Sequence, residues 1–144
     1  MNKIETIHDS DVVIAIIIPS SFREKGIKFI TPDSFSQQLA YMKHPASHEI
    51  KPHVHNVVRR EIQLTRETLF IRKGRVRIDL YGNDRKYLRS IVSKTGDVIL
   101  LVNGGHGLKM LEESEIIEVK QGPYAGEQDK TKFEGIKDGA VKLR

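Results

Sequence analysis

Residues 75–81 read Arg-Val-Arg-Ile-Asp-Leu-Tyr. In an extended chain successive side chains point to opposite sides, so Val76, Ile78 and Leu80 share one face while Arg75, Arg77 and Asp79 share the other. A clean period of two predicts a sheet with one side buried and the other wet. The neighbouring stretch, Gly82-Asn83-Asp84, reads as a hairpin loop, because glycine and asparagine tolerate positive φ.

Working outward, short runs rich in Val, Ile, Leu, Phe and Tyr recur along the chain with turn residues between them. The predicted strands are 12–18, 27–30, 35–42, 49–55, 61–65, 68–72, 75–81, 87–92, 98–101, 107–111 and 116–120. No stretch of ten residues carries a helical period. A short helical turn fits around Ser34 to Leu39, and another near the C-terminal end. Residues from Gly126 onward are dominated by charge and glycine, which predicts a flexible or loosely docked tail. With no repeat or linker, the 144 residues read as a single all-β domain, either a sandwich, a jelly roll or a closed barrel.

Composition narrows the function classes. There is no cysteine, which excludes disulfides, thiolate metal sites, Fe–S clusters and cysteine nucleophiles in this chain. The longest apolar run, Val12–Ile18, covers seven residues and ends at Pro19, against about 20 for a membrane-spanning helix. An acidic opening precedes it, and a cytoplasmic protein with no membrane partner is expected. Apolar residues on both faces of this strand require cover, either inside its own barrel or from a second copy across a two-fold axis, so a homodimer is expected. The formal net charge is +5. Between Arg59 and Arg77 stand seven basic residues against Glu61 and Glu67, matching the whole surplus. Such a run reads first as a solvated face, and only one aromatic residue, Phe70, interrupts it, which argues against nucleic acid.

Six histidines are present: His8, His44, His48, His53, His55 and His106. His53 and His55, two apart on a predicted strand, point the same way. Glu67 shares its face with Leu69 and Ile71, and His106 shares its face with Leu108 and Met110. A carboxylate and an imidazole on stripes that otherwise look like core are costly unless paired or bound to a cation. Three segments thus each direct metal-ligand chemistry towards an interior, and neutral imidazole suits Fe, Mn, Zn or Ni.

These residues resemble the two motifs of the cupins. The first motif, His-x-His and then a Glu followed after six residues by a Gly, is matched by His53-Val54-His55, Glu67 and Gly74. The second, Gly-Asp, hydrophobic residues, a Gly-containing turn and a His, is matched by Gly96-Asp97-Val98-Ile99-Leu100-Leu101 and Gly104-Gly105-His106. The likeness covers residues 48–120, with a barrel core over about 27–121. It departs in the long gap from His55 to Glu67, which makes Glu61 a competitor for the carboxylate, in Val102 where proline is common, and in His106 arriving one residue early. The last part, to Tyr124, looks like small bacterial cupins of uncharacterised role, some of which lie among surface-polysaccharide genes.

The resemblance implies a double-stranded β-helix (jelly-roll) barrel holding one divalent transition metal through His53, His55, Glu67 and His106. It implies a small metal-dependent enzyme acting on a sugar or other small oxygenated metabolite, or a non-catalytic module that binds or senses such a ligand. Leu69, Ile71, Val76, Ile78, Leu108 and Met110 are expected to wall a dry pocket, with Gln38, Tyr41, Arg60 and Lys109 at its mouth.

Overall fold

The computed structural model describes residues 2–143. They divide into two compact units, one of residues 23–64 and one of the chain before and after them.

The larger unit holds two antiparallel sheets. One has the order β1-β2-β8-β5-β10, built from β1 (Glu5–Asp9), β2 (Val12–Ile18), β5 (Glu67–Lys73), β8 (Val98–Leu101) and β10 (Glu115–Lys120). The other has the order β7-β6-β9, built from β6 (Arg75–Tyr81), β7 (Tyr87–Lys94) and β9 (Gly105–Met110). Ile7, Ile14, Ile17, Leu69, Ile71, Ile99 and Leu101 of the first sheet pack into one apolar cluster with Val76, Ile78, Leu80 and Ile91 of the second. Two sheets thus share a core, each lending alternate residues of its inner face.

The strand that anchored the sequence reading, β6, is buried on both sides from Val76 onward. Its inner residues do join the core, but Arg77 and Asp79 are covered as well. Arg77 donates from Nε and Nη2 to the two Asp79 carboxylate oxygens at 2.8 and 2.9 Å, and from Nη1 to Asp138 at 2.9 Å. Ser90 on β7 donates to Asp79 at 2.5 Å. The cover is the tail. Ile136 donates its amide to the Tyr81 hydroxyl at 2.8 Å, Phe133 meets the Tyr81 ring edge-on, and Leu143 bridges to Ser90. Residues 126–143, for which a loose segment was expected, form two short 3-10 turns, Gly126–Asp129 and Asp138–Ala140, and satisfy the polar side of β6. A charged stripe in a strand therefore marks a wet face only when nothing later in the chain brings complementary charge.

The β6–β7 hairpin closes as the sequence predicts, with Gly82 and Lys86 bonded across it, but the positive φ falls on Arg85 at 66° and not on Asn83. Asn83 has another use, described below. The run Arg59–Arg77 forms no common basic face within this unit. Arg77 is buried, Lys73 pairs with Glu113 at 2.8 Å, and Arg72 lies 3.6 Å from Glu115.

The smaller unit contains the hairpin β3 (Gly26–Phe29) and β4 (Ala40–Lys43). The loop between them is stapled by Gln38, whose Nε2 donates to the carbonyls of Pro32 and Phe35 and whose Oε1 accepts from Thr31. The predicted strand 35–42 shortens to β4, and residues 44–64 form no strand. The predicted strands 49–55 and 61–65 are corrected on this point. Pro52 removes a ladder donor from the first, and among the described residues neither has a partner strand. The all-β architecture is therefore open antiparallel sheets, two in the larger unit and the β3–β4 hairpin in the smaller, and not the closed barrel expected.

Candidate functional site

Glu67 opens β5 and lies opposite Leu101 and Lys120 in the ladder, on the inner face with Leu69 and Ile71. His106 lies on β9 opposite Leu80, on the inner face of the other sheet. The two sheets therefore present one carboxylate and one imidazole to each other, with His106 Nε2 3.0 Å from Glu67 Oε2. The Glu67 side chain is buried and that of His106 is about one-third exposed. The hydrogen bond from His106 holds the Glu67 carboxyl below its ordinary range, against the opposing effect of burial, with smaller contributions from the nearby Lys120 and Lys130 charges. Lys120 Nζ stands 4.0 Å from Glu67 Oε1 and is shared with Glu118 at 3.0 Å.

Backbone geometry sets the imidazole. Gly104 adopts φ +73°, and a Cβ there would come within 2.1 Å of the Tyr81 carbonyl oxygen. Only glycine fits. Its amide donates to Asn83 Oδ1 at 2.9 Å, so the β6–β7 loop steers the entry to β9. Gly96-Asp97 serves the preceding turn: Asp97 accepts from the amides of Ser20 and Lys94 at 2.7 and 2.9 Å. Of these residues, Gly104 sets the entry to the strand that carries His106.

The pair opens onto a cavity of about 530 Å³, lined also by Tyr81, Phe133, Thr131, Lys130 and Lys132. Most of these come from the tail, in which no spacing or periodicity marks them. Of the walls expected from sequence, Leu69, Ile71, Val76 and Ile78 are buried core, whereas Leu108 and Met110 are exposed because β9 is an edge strand. Of the expected mouth residues, Gln38 is occupied by its own loop, Tyr41 is in the β3–β4 hairpin, and Arg60 is exposed in the smaller unit. Lys109 is on the outer face of β9, paired with Asp138.

His53 and His55 belong to the smaller unit. Both are exposed, and their rings meet edge-on at 5.3 Å, with His53 Nδ1 2.9 Å from the Lys51 carbonyl oxygen. Glu61 is on the same exposed segment. Among the described residues no group of three or more His, Asp or Glu side chains is gathered closely enough to hold a metal ion. The 3.0 Å between His106 Nε2 and Glu67 Oε2 is the length of a direct hydrogen bond.

Comparison of the chain with protein-family models, curated proteins and solved structures finds no match. No helix among the described residues is long and apolar enough to cross a membrane.

Proposed function

We propose that the chain is a cupin-like metal-binding protein, a small metal-dependent enzyme acting on a sugar or another small oxygenated metabolite. The observation that carries the reading is the meeting of Glu67 and His106 from two sheets at the wall of a cavity large enough for such a molecule. The carboxylate and the imidazole are each of a type that ligates a divalent transition metal, and both face the same cavity. The resemblance to the cupin motifs supplies His53 and His55 as the remaining donors. A divalent transition metal so held supplies Lewis acidity towards a carbonyl or hydroxyl oxygen, or, if iron, reactivity towards O2. Tyr81, Thr131, Lys130 and Lys132 would then orient the substrate's oxygen atoms, and the Phe133 ring would pack against its carbon skeleton.

The test is reconstitution with Fe, Mn, Zn and Ni salts, followed by elemental analysis and assay against sugar nucleotides and small hydroxy or keto acids. Close to one metal per chain and metal-dependent turnover support the enzyme. Saturable binding without turnover assigns the non-catalytic, ligand-sensing module instead. No metal under any of these conditions defeats the metal-binding reading.

A further inference from the structure

The cavity of the larger unit sorts its charges unevenly. Its two lining carboxylates are both engaged. Glu67 is bonded to His106 and stands 4.0 Å from Lys120 Nζ, and Asp129 accepts a hydrogen bond from the Thr65 hydroxyl at 2.5 Å. The two lysines that line the same cavity, Lys130 and Lys132, make no ion pair among the described residues. The charge of Lys130 is felt at Glu67, so it acts on the floor of the cavity as well as on its rim. Both lysines are exposed, and a solvated ammonium by itself marks nothing. Their setting is what differs. The segment Lys130-Thr131-Lys132 is fastened on both sides. Before it, Asp129 is held by Thr65. After it, the Phe133 ring meets the Tyr81 ring edge-on at 5.0 Å. Gly105 makes room for that ring, since a Cβ there would come within 2.8 Å of Phe133 Cζ. The Arg85 guanidinium stands 5.9 Å from the centre of the same ring and adds a third positive charge beside the cavity.

We propose that this cavity takes a small organic anion, with Lys130 and Lys132 holding its carboxylate or phosphate group and the Tyr81 and Phe133 rings packing against its carbon skeleton. That the anion is the substrate rests on the proposed function; that it binds does not. An acidic molecule entering beside Glu67 would be repelled by a bare carboxylate, but His106 and Lys120 answer that charge from within the wall. What remains to face a ligand is positive. A lysine ammonium is a compact point charge on a flexible stem, so two of them accept a carboxylate and a phosphate alike. A neutral sugar offers them only hydroxyl groups, which are weaker acceptors than an ionised oxygen. Because the segment carrying both lysines is already fastened at Asp129 and Phe133, little backbone ordering is left to oppose binding. The substrate class narrows from oxygenated metabolites in general to acidic ones, a sugar acid, a sugar phosphate or a hydroxy acid.

The experiment uses the full chain, treated with a chelator and dialysed so that binding is read apart from any metal. Titration calorimetry is run with glucose, glucuronate and glucose 6-phosphate. At least one of the two anions should bind about 10-fold more tightly than glucose, and the tighter of them says whether the site prefers carboxylate or phosphate. Lys130→Gln and Lys132→Gln should each weaken that anion by about 5- to 10-fold, the scale of one hydrogen bond to a charged group. Lys94→Gln is the control. Lys94 lies opposite Arg75, at the other end of β6 from Tyr81, and its loss should leave the affinity unchanged. All three lysines are exposed, so each variant should keep the wild-type circular dichroism. Anions that bind no better than glucose, or that fail to bind at about 10 mM, overturn the proposal. So does wild-type affinity in both Lys130→Gln and Lys132→Gln. An equal loss in Lys94→Gln overturns the assignment to this cavity and leaves only diffuse attraction to the net charge of +5. Anion binding by a chain that takes up no metal sustains the acidic ligand and removes the metal reading. Metal uptake with turnover of neutral sugars alone does the reverse.

Discussion

Glu67 and Glu61 are separated by six positions and by their surroundings. Glu67 is held on an inner face by the β5 ladder and faces His106, whereas Glu61 is exposed on a segment without a strand. Under the proposed function Glu67→Gln keeps the size and loses the charge, so metal affinity should fall by about 10-fold or more in a competition titration, while Glu61→Gln should leave it unchanged. Equal losses from both would show that the carboxylate ligand is not fixed by the β5 ladder. Gly104 offers a test of positioning. Gly104→Ala places a methyl group against the Tyr81 carbonyl and should destabilise the fold by about 1–3 kcal/mol, read as a lower denaturation midpoint. Asn83→Ala removes only the acceptor for the Gly104 amide and should cost about 1 kcal/mol. Much of the placement of His106 was legible in sequence: glycines before a histidine on an alternating stripe fix the face and the turn. Asn83 was not, because a loop asparagine that accepts a hydrogen bond from a residue 21 positions away leaves no local mark.

At the scale of elements, β6 shows where reading by alternation succeeds and where it stops. Its apolar face was read correctly, because Val76, Ile78 and Leu80 are all fully buried. Its charged face was taken for a wet one, since burial of Arg77 and Asp79 depends on Asp138, about 60 residues later, which no period can reveal. The segment 44–64 failed for the complementary reason: strand-forming residues remain unpaired until an edge is supplied. Two predictions belong to the tail contact. Asp79→Ala leaves the Arg77 guanidinium buried without its main partner and should cost about 3–5 kcal/mol in chemical denaturation. Asp138 is exposed, and its hydrogen bonds from Lys109 and then Arg77 hold its carboxyl below the ordinary 3.8. A lowered folded-state value means stabilisation that is fully present above the unfolded value, about 4, and lost as pH falls through the folded one. Hydrogen exchange of residues 133–143 should therefore accelerate below about pH 4, and Asp138→Asn should show the faster exchange already at neutral pH.

For the molecule as a whole, the accounting of exposed apolar surface outweighs any single contact. Apolar runs in the sequence foretold many strands correctly, but could not say which of them find partners within one chain. The strand β2, whose two apolar faces suggested cover by a second copy, has Ile14–Ile18 buried with the chain taken alone, so its faces call for no second copy. Trypsin gives an independent check. Lys51, Arg59 and Arg60 are exposed on an irregular segment. Cleavage should begin there, followed by mass spectrometry of the first fragments. First cuts within the β-strands instead would show that the segment is protected.

The tail's place over β6 also sets an order of events during synthesis. When β10 has left the ribosome, every strand of the sandwich is available, yet Arg77 and Asp79 still face water on a sheet whose cover has not been made. Residues 133–143 follow after about one to five seconds at 5–20 residues per second. Through that interval the nascent chain presents a bare hydroxyl at Tyr81 and an unanswered guanidinium at Arg77. A chain truncated between Lys120 and Phe133 should therefore present a sandwich that a chaperone can still grip, and restoring residues 133–143 should end that hold.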